Sequence, residues 1–216
     1  MVNSSRCVGA LNQLTLVWVA CNHELKHSAM LIKAMLIGFA GARRAGKDLA
    51  ASHLVNNHGF VQYAFATPLK ELCKDLFGLT HDQIHEKEKD LLAPKYGITP
   101  RRIMQMMGTD CVRTISPTFW VDALEKKLSE TAAEKVVVSD VRFQNEVDLI
   151  HRRGGHVILI SRECCEVCDR HISEQAQTLH GIDGVIRNEG SVADMCRAVD
   201  RAVLAQRHIT KFIQPS

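Results

Sequence analysis

The chain has 216 residues, of which 46% are hydrophobic and 24% charged, so it is long enough to bury a core and is predicted to form one globular domain. Its 27 basic and 24 acidic residues leave a net charge of only +3. That balance argues against a generic nucleic-acid-binding protein but permits a local basic pocket. Eight cysteines at irregular spacing favour reduced thiols over a disulfide framework, and we therefore expect a cytoplasmic protein.

The first 34 residues stand apart from the rest of the chain. Residues 8–20 are mostly apolar, but Asn12 and Gln13 interrupt the run. The run is too short to span a membrane and does not match a cleaved signal peptide. We therefore expect residues 1–34 to be a poorly ordered extension without a membrane role, and residues 35–216 to form the folded domain.

A glycine-rich turn follows the first apolar strand. Gly41 and Gly46 enclose four residues and are followed by Lys47. At this spacing backbone N–H groups surround a phosphate while an exposed lysine reaches the β- and γ-phosphate oxygens of ATP, and the following helix adds its positive dipole end. Asp48 stands where such loops usually have a hydroxyl residue, and its carboxylate is a suitable ligand for Mg²⁺. The predicted ATP site comprises Gly41, Ala42, Arg43, Arg44, Ala45, Gly46, Lys47 and Asp48.

Strand-like and helix-like segments alternate from residue 35 onward. Strands are predicted at 35–40, 60–65, 135–139, 156–160 and 184–187, and helices at 47–57, 68–77, 80–90, 100–114, 117–131, 143–153 and 191–206. Thr99-Pro100 and Ser116-Pro117 each pair a capping residue with proline at the first helical position. The alternation predicts an α/β fold, with a central parallel sheet, helices on both faces and ligands at the carboxyl ends of the strands.

Charged residues follow the predicted strands. Asp140 comes directly after an apolar strand, where phosphate-loop enzymes place a carboxylate that holds Mg²⁺; the alternative is a helix-capping role. Arg142, two residues on, is placed to neutralise a transferring phosphoryl group. Lys70 and Arg162 also follow strands, and for each the alternative is an ordinary surface or loop residue.

A basic segment lies at residues 87–113. A helix beginning at residue 100 would carry Arg102, Gln105 or Met106, and Thr109 on one side. Guanidinium groups match phosphate oxygens, so their density near a nucleotide loop favours a second, anionic substrate. The alternative is an ordinary amphipathic surface helix.

Segments in a fixed order together resemble the phage-type deoxynucleoside monophosphate kinases, a branch of the P-loop nucleoside monophosphate kinases. They span residues 41–48, 65–71, 100–113, 119–121, 139–146, 171–174 and 185–190. The most specific is Ser139-Asp140-Val141-Arg142-Phe143-Gln144-Asn145-Glu146. The resemblance implies a three-layer P-loop kinase fold with a small lid near residues 162–180.

The resemblance also implies an activity, the ATP-dependent phosphorylation of a deoxynucleoside monophosphate with Mg²⁺. Lys47, Asp140 and Arg142 would be catalytic, and Asp48 and Asp140 would hold the metal. Arg162 would bind ATP from the lid, together with His171. The acceptor would contact Lys70, Arg102, Gln105, Arg113 and Trp120. Gln105 and Trp120 are candidates for base recognition, although Trp120 suits the core equally well. Relatives of this type are commonly homodimers, and the partners implied are small molecules, not nucleic acid.

Three alternatives stay open. Phosphomevalonate kinases of the animal type share the glycine-rich loop and a similar strand end, and a regulatory ATP-binding module without transfer activity would share the loop alone. Cys165, Cys168 and His171 have spacings within the range of zinc ligands. The absence of a second paired cysteine motif favours reduced thiols there.

Overall fold

The computed structural model describes residues 35–85, 87–163 and 178–212, without the side chains of 87 and 206–212. The predicted N-terminal extension, most of the predicted lid, and the cluster of Cys165, Cys168 and His171 lie outside these residues.

Five parallel strands form one sheet in the order β2-β3-β1-β4-β5. They are β1 (Met35–Ala40), β2 (Val61–Tyr63), β3 (Lys135–Val141), β4 (His156–Ser161) and β5 (Gly184–Arg187). The inner strands β1 and β3 are apolar along most of their length because helices cover both of their faces. The register between them shifts between Gly38 and Ala40, just before the glycine-rich turn. The predicted parallel sheet is confirmed.

Helices connect the strands and bury both faces of the sheet. They are α1 (Lys47–His58), α2 (Thr67–Phe77), α3 (His81–His85), α4 (Pro100–Gln105), α5 (Val112–Ile115), α6 (Phe119–Glu130), α7 (Gln144–Arg152) and α8 (Val192–Phe212). Ile37 and Val137 pack with α1 and α8 on one face, whereas Leu36 and Val136 pack with α6 and α7 on the other. Among the described residues, no helix has both the length and the apolar character needed to cross a membrane.

The predicted helix over 80–90 is two elements, α3 and a 3-10 helix over Lys87–Asp90. The predicted helix over 100–114 begins as expected, since Thr99 caps it by accepting the N–H of Arg102, but Met106–Cys111 is π-helical. Gly108 lies in this widened turn and makes two close contacts. Its carbonyl accepts the indole N–H of Trp120 at 2.8 Å, and a Cβ at this position would lie 2.5 Å from Leu69.

Helix α6 and strand β2 also have bounds that differ from the sequence prediction. Helix α6 begins at Phe119, because the N–H of Phe119 bonds the carbonyl of Ser116 at 3.2 Å in a turn that leaves Pro117 outside the helix. Ser116 is therefore not the cap that the Ser-Pro pair predicted. Strand β2 is limited to Val61–Tyr63, where it pairs with β3 at the sheet edge.

Candidate active site

The glycine-rich turn between β1 and α1 has the backbone of a tight loop. Gly41 has φ 146°, Arg44 has φ 62° and Gly46 has φ 110°, all in the region that favours glycine. A Cβ on Gly41 would lie 2.3 Å from the carbonyl oxygen of Ile160. The loop therefore passes so close to β4 that only glycine fits at position 41.

Lys47 lies inside this loop. Its Nζ donates to the carbonyl oxygens of Gly41 at 2.8 Å and Ala42 at 2.7 Å, and the residue is 8% exposed. The expectation of an exposed lysine is wrong, because the loop folds around its own ammonium group. The arrangement keeps a positive charge beside the loop N–H groups, where a phosphate would be bound.

Asn188, directly after β5, supports the loop from outside. Its side-chain amide donates to the carbonyl of Ala45 at 2.8 Å, and its backbone N–H donates to Ser161 at 2.8 Å. A Cβ on Gly46 would lie 2.6 Å from that amide nitrogen. Asn188 thus joins the loop to the edge strand, and its side chain is almost fully buried.

A cavity of about 210 Å³ adjoins the loop at Asp48. Its lining has more basic than acidic side chains, so it suits an anionic ligand. The acidic ones are Asp48, Asp140 and Glu146; the basic ones are Lys70, Lys89, Arg101, Arg113 and Arg142. Of the residues predicted for the substrates and the metal, this cavity brings together Asp48, Lys70, Gln105, Arg113, Trp120, Asp140 and Arg142.

Two predicted residues lie elsewhere. Arg102 is exposed, points toward Asp110 at 3.4 Å and does not line the cavity. Arg101 lines the cavity instead, because helix α4, which begins at Pro100, places residue 101 on the cavity side. Arg162 follows β4 with an exposed side chain and is also not part of the cavity wall.

Asp140 is placed at the end of β3 as predicted, and its carboxylate organises the neighbouring loop. One oxygen accepts the N–H of Phe65 at 2.8 Å and the other accepts the N–H of Ala66 at 2.9 Å. These bonds fix the turn that leads into α2 and hence the position of Lys70. Because both N–H groups precede Thr67, the first residue of α2, these bonds order the turn before the helix and do not cap it.

Glu146 is buried beneath the cavity and organises two arginines. One carboxylate oxygen accepts a hydrogen bond from Arg113, and the other accepts the backbone N–H groups of Arg142 at 2.7 Å and Phe143 at 3.1 Å. The Arg113 guanidinium also lies 3.8 Å from the centre of the Phe143 ring. Burial raises the pKa of Glu146 to about 7, against the attraction of Arg113.

Asp90 connects the loop with the cavity. Its carboxylate accepts hydrogen bonds from Arg43 of the loop and from Nε of Arg101, the latter at 2.6 Å. Burial tends to raise the pKa of Asp90, but the bond and charge of Arg101 and the charge of Arg43 outweigh it and lower the pKa. Burial, with Arg101 and Lys70 nearby, lowers the pKa of Lys89.

The Trp120 side chain contributes both to the cavity wall and to the hydrophobic core. It is 4% exposed, and its indole N–H is already bonded to Gly108. The ring packs edge-on against Phe119, with 4.9 Å between centroids. Any contact of Trp120 with a substrate would therefore use the ring, not the N–H group.

Sequence reasoning included Lys89 and Arg101 only as members of the basic segment 87–113, and it missed Asp90, Glu146 and Asn188. For Glu146 a signal was available, because it stands at the third position of α7, where a carboxylate can reach back to the helix start. For the others the pairing depends on residues far away in the chain, which no local pattern records.

Comparison with known proteins agrees with this geometry. A family model described as deoxynucleotide monophosphate kinase matches residues 79–199. A protein of Acanthamoeba polyphaga mimivirus, whose name assigns it to the deoxynucleotide monophosphate kinases, is 35% identical over 179 residues, covering 74% of this chain and 91% of the relative. The deoxynucleotide monophosphate kinase of Enterobacteria phage T4 is 24% identical, covering 74% of this chain and 95% of the relative.

The solved structure of TT1252 from Thermus thermophilus aligns with a TM-score of 0.49 and 16% identity, covering 80% of this chain and 97% of that one. The family match spans more than half of the chain and includes most of the residues that line the cavity. The chain belongs to the deoxynucleotide monophosphate kinase family.

Proposed function

We propose that the chain transfers the γ-phosphoryl group of ATP to the phosphate of a deoxynucleoside monophosphate, giving ADP and the deoxynucleoside diphosphate. The observation that carries this proposal is the cavity with five basic side chains that meets the phosphate loop at Asp48. A donor site and an anionic acceptor site that share a wall are what phosphoryl transfer requires, since the protein's main tasks are positioning and charge compensation.

On the donor side, the N–H groups of the loop from Gly41 to Gly46 and the ammonium of Lys47 would bind the phosphates of ATP. The N-terminus of α1 adds its dipole. Arg162 would approach ATP from a lid near residues 162–180 that also includes His171. Closure of such a lid would exclude water, which a kinase needs in order not to hydrolyse its donor.

On the acceptor side, Lys70, Arg113 and Arg142 would bind the monophosphate, and Arg142 would also meet the phosphoryl group in transfer. Glu146 supports this role because it holds Arg113 at the cavity wall. Lys89 and Arg101 line the same cavity and would add positive charge near the acceptor phosphate. We propose that Arg101 supplies the contact that the sequence assigned to Arg102.

Asp48 and Asp140 would hold Mg²⁺, and the donor atoms fit the ion. Both residues line the cavity, and both offer the hard carboxylate oxygens that Mg²⁺ prefers. Each Asp140 oxygen accepts one N–H group and so keeps a lone pair for the ion or its water. When bound, Mg²⁺ neutralises charge on the phosphate oxygens.

Gln105 and Trp120 are our candidates for contacts with the base, because both line the cavity. The Gln105 amide would hydrogen-bond the base edge, and the Trp120 ring would supply an apolar contact. A cytoplasmic location fits an ATP-using enzyme whose described cysteines Cys73, Cys111 and Cys196 are unpaired. A homodimer is proposed from the family resemblance, and the mass in solution would test it.

The test is an acceptor panel. The purified chain is incubated with ATP and Mg²⁺, and ADP release is measured with dGMP, dTMP, dCMP, AMP or phosphomevalonate, and with no acceptor. We expect release that depends on a deoxynucleoside monophosphate. Release with phosphomevalonate alone would support the phosphomevalonate kinase alternative, and ATP binding without any release would support the regulatory module.

A further inference from the structure

Two histidines and an aspartate meet at the end of the domain opposite the phosphate loop. His53 and His58 belong to α1, and Asp200 belongs to α8. The Nε2 atoms of both histidines lie 2.7 Å from the same oxygen, Oδ1 of Asp200. Lys135, the first residue of β3, donates to the carbonyl of His58 at 2.9 Å. The cluster therefore lies at the amino-terminal edge of the sheet and takes no part in the site described above.

The three side chains offer the ligand set of a zinc site. One ligand atom from each lies within 4.8 Å of the other two. Two imidazoles and one carboxylate are a known combination around Zn²⁺, and bonds of about 2.0–2.1 Å in a tetrahedron put ligand atoms about 3.3 Å apart. A small rotation of the Asp200 carboxylate would widen the 2.7 Å contacts to that spacing. The ion would bind the lone pairs of the two Nε2 atoms, and the protons that now lie between these atoms and Asp200 would move to Nδ1 or, from a doubly protonated ring, to solvent.

An outer hydrogen-bond partner contacts one of the histidines. The side-chain amide of Asn57 lies 3.1 Å from Nδ1 of His53. The amide nitrogen of Asn57 also donates to the backbone carbonyl of His53 at 3.2 Å, so Asn57 helps to hold the His53 ring in place, as outer partners of metal-bound histidines do.

The cluster is open enough for an ion to enter. The His53 side chain is 12% exposed, that of His58 33% and that of Asp200 37%. Water can therefore supply the fourth ligand of a tetrahedral ion.

We propose that His53, His58 and Asp200 bind one divalent cation of the zinc class, which links α1 to α8. Imidazole nitrogen suits Zn²⁺, Co²⁺ and Ni²⁺ better than Mg²⁺. This site is thus distinct in chemistry and in place from the carboxylates proposed for the Mg²⁺ that accompanies ATP.

The experiment is a zinc titration of the metal-free full chain in competition with a chromophoric chelator. Excess Mg²⁺ is added so that zinc does not bind to sites made only of carboxylates. The parent chain for all comparisons carries Cys165→Ser and Cys168→Ser, which remove the other zinc ligands suggested by the sequence. We expect one zinc ion per chain, with a Kd of about 10⁻⁶ M or tighter. His58→Gln in the same background should weaken binding about a hundredfold or more, since only two protein ligands remain.

His151→Gln is the matched control. Nε2 of His151 also lies 2.9 Å from a carboxylate oxygen, Oδ2 of Asp183. That oxygen already accepts the N–H of Val157. Among the described residues, only His53, His58 and Asp200 bring three ligand atoms of histidine, cysteine or acidic side chains within 4.8 Å of one another. The control should bind zinc like its parent.

Two further readouts keep the test decisive if a variant is less stable. Zinc should raise the Tm of the parent and of His151→Gln but not that of His58→Gln, each compared with its own metal-free form. Bound Co²⁺ should give d–d bands without the near-ultraviolet charge-transfer band of a thiolate. Unchanged binding in His58→Gln, a thiolate band, or no zinc binding by the parent would each overturn the proposal.

Discussion

Arg113 donates a hydrogen bond to the buried carboxylate of Glu146 across a sequence separation of 33 residues. The pair sits at the wall of the cavity, and the same carboxylate holds the backbone of Arg142. One buried acidic residue thus sets the positions of two arginines that we propose contact the acceptor phosphate. Arg113 and Arg142 would bind the acceptor, whereas Glu146 would only position them. Mutations of the separate residues can therefore test the two roles one at a time.

Arg113→Met should chiefly raise the KM of the deoxynucleoside monophosphate and leave that of ATP almost unchanged. Loss of one arginine–phosphate contact from a partly solvated pocket costs about 1.5–3 kcal/mol, roughly tenfold to a hundredfold in kcat/KM. Arg142→Met should lower kcat as well, because its charge meets the group in transfer. Steady-state kinetics with each substrate varied would measure both effects.

The double variant Arg113→Met with Glu146→Gln is the control for stability, because Arg113→Met alone leaves a buried carboxylate without its cation. We expect the double variant to unfold at a higher temperature than Arg113→Met but to keep the raised acceptor KM. Recovery of acceptor affinity together with stability would mean that Arg113 acts only through the fold. Arg102→Met should leave both KM values unchanged.

The raised pKa of Glu146 predicts a pH dependence of stability. The folded state holds the proton up to about pH 7, whereas the unfolded chain releases it near the ordinary glutamate pKa of 4.5. Between pH 4.5 and about pH 7 the folded state therefore binds more protons than the unfolded state. The contribution of Glu146 to the free energy of unfolding is full below pH 4.5 and is lost as the pH rises through about 7.

Urea unfolding of the ligand-free chain across this pH range measures the effect. The unfolding free energy of the parent should fall with rising pH relative to that of Glu146→Gln. Glu130→Gln, at an exposed position of α6, should follow the parent. Parallel curves for the parent and Glu146→Gln would contradict the raised pKa.

Lys47→Met should lower turnover about a hundredfold or more, because it removes a charge that compensates the transition state. Methionine keeps most of the aliphatic volume that the nearly buried lysine fills, so the chain should still fold. Turnover and a thermal melt check the two expectations. Lys74→Met, on the exposed face of α2, is the control, and near-normal turnover in Lys47→Met would mean that the loop is not the ATP site.

Asp90→Asn should raise the KM of both substrates, since Asp90 joins Arg43 of the loop to Arg101 of the cavity. The groups are partly exposed, so the effect should be modest, about fivefold at most. Kinetics at low and high salt would test it, because the difference from the parent should shrink as salt screens the pair. Asp75→Asn on exposed α2 should change neither KM, and a selective change in one KM would rule out the linking role.

Deletion of residues 1–34 should leave kinase activity and Tm nearly unchanged. The first strand begins at Met35, and all the proposed site residues follow it. Activity assays and melts of the shortened chain would check this expectation. An insoluble or inactive product would show that the extension packs on the domain.

Local sequence patterns determined the elements and the phosphate loop. The spacing of Gly41, Gly46 and Lys47 is a local property, because consecutive backbone N–H groups form the site. The cap of α4 is equally local, because the Thr99 side chain accepts the N–H of Arg102, three residues further along the chain. The apolar runs of β1 and β3 predicted a sheet buried on both faces. A strand with one exposed face would instead alternate polar and apolar residues.

The tertiary structure alone decided which charged side chains meet. The sequence predicted an acceptor contact for Arg102, but in the folded chain Arg101 lines the cavity and Arg102 is exposed. The pairing of Glu146 with Arg113 and of Asp90 with Arg43 joins residues tens of positions apart. Such pairs depend on how helices pack over the sheet, and packing is set by the sum of many contacts that no local pattern contains.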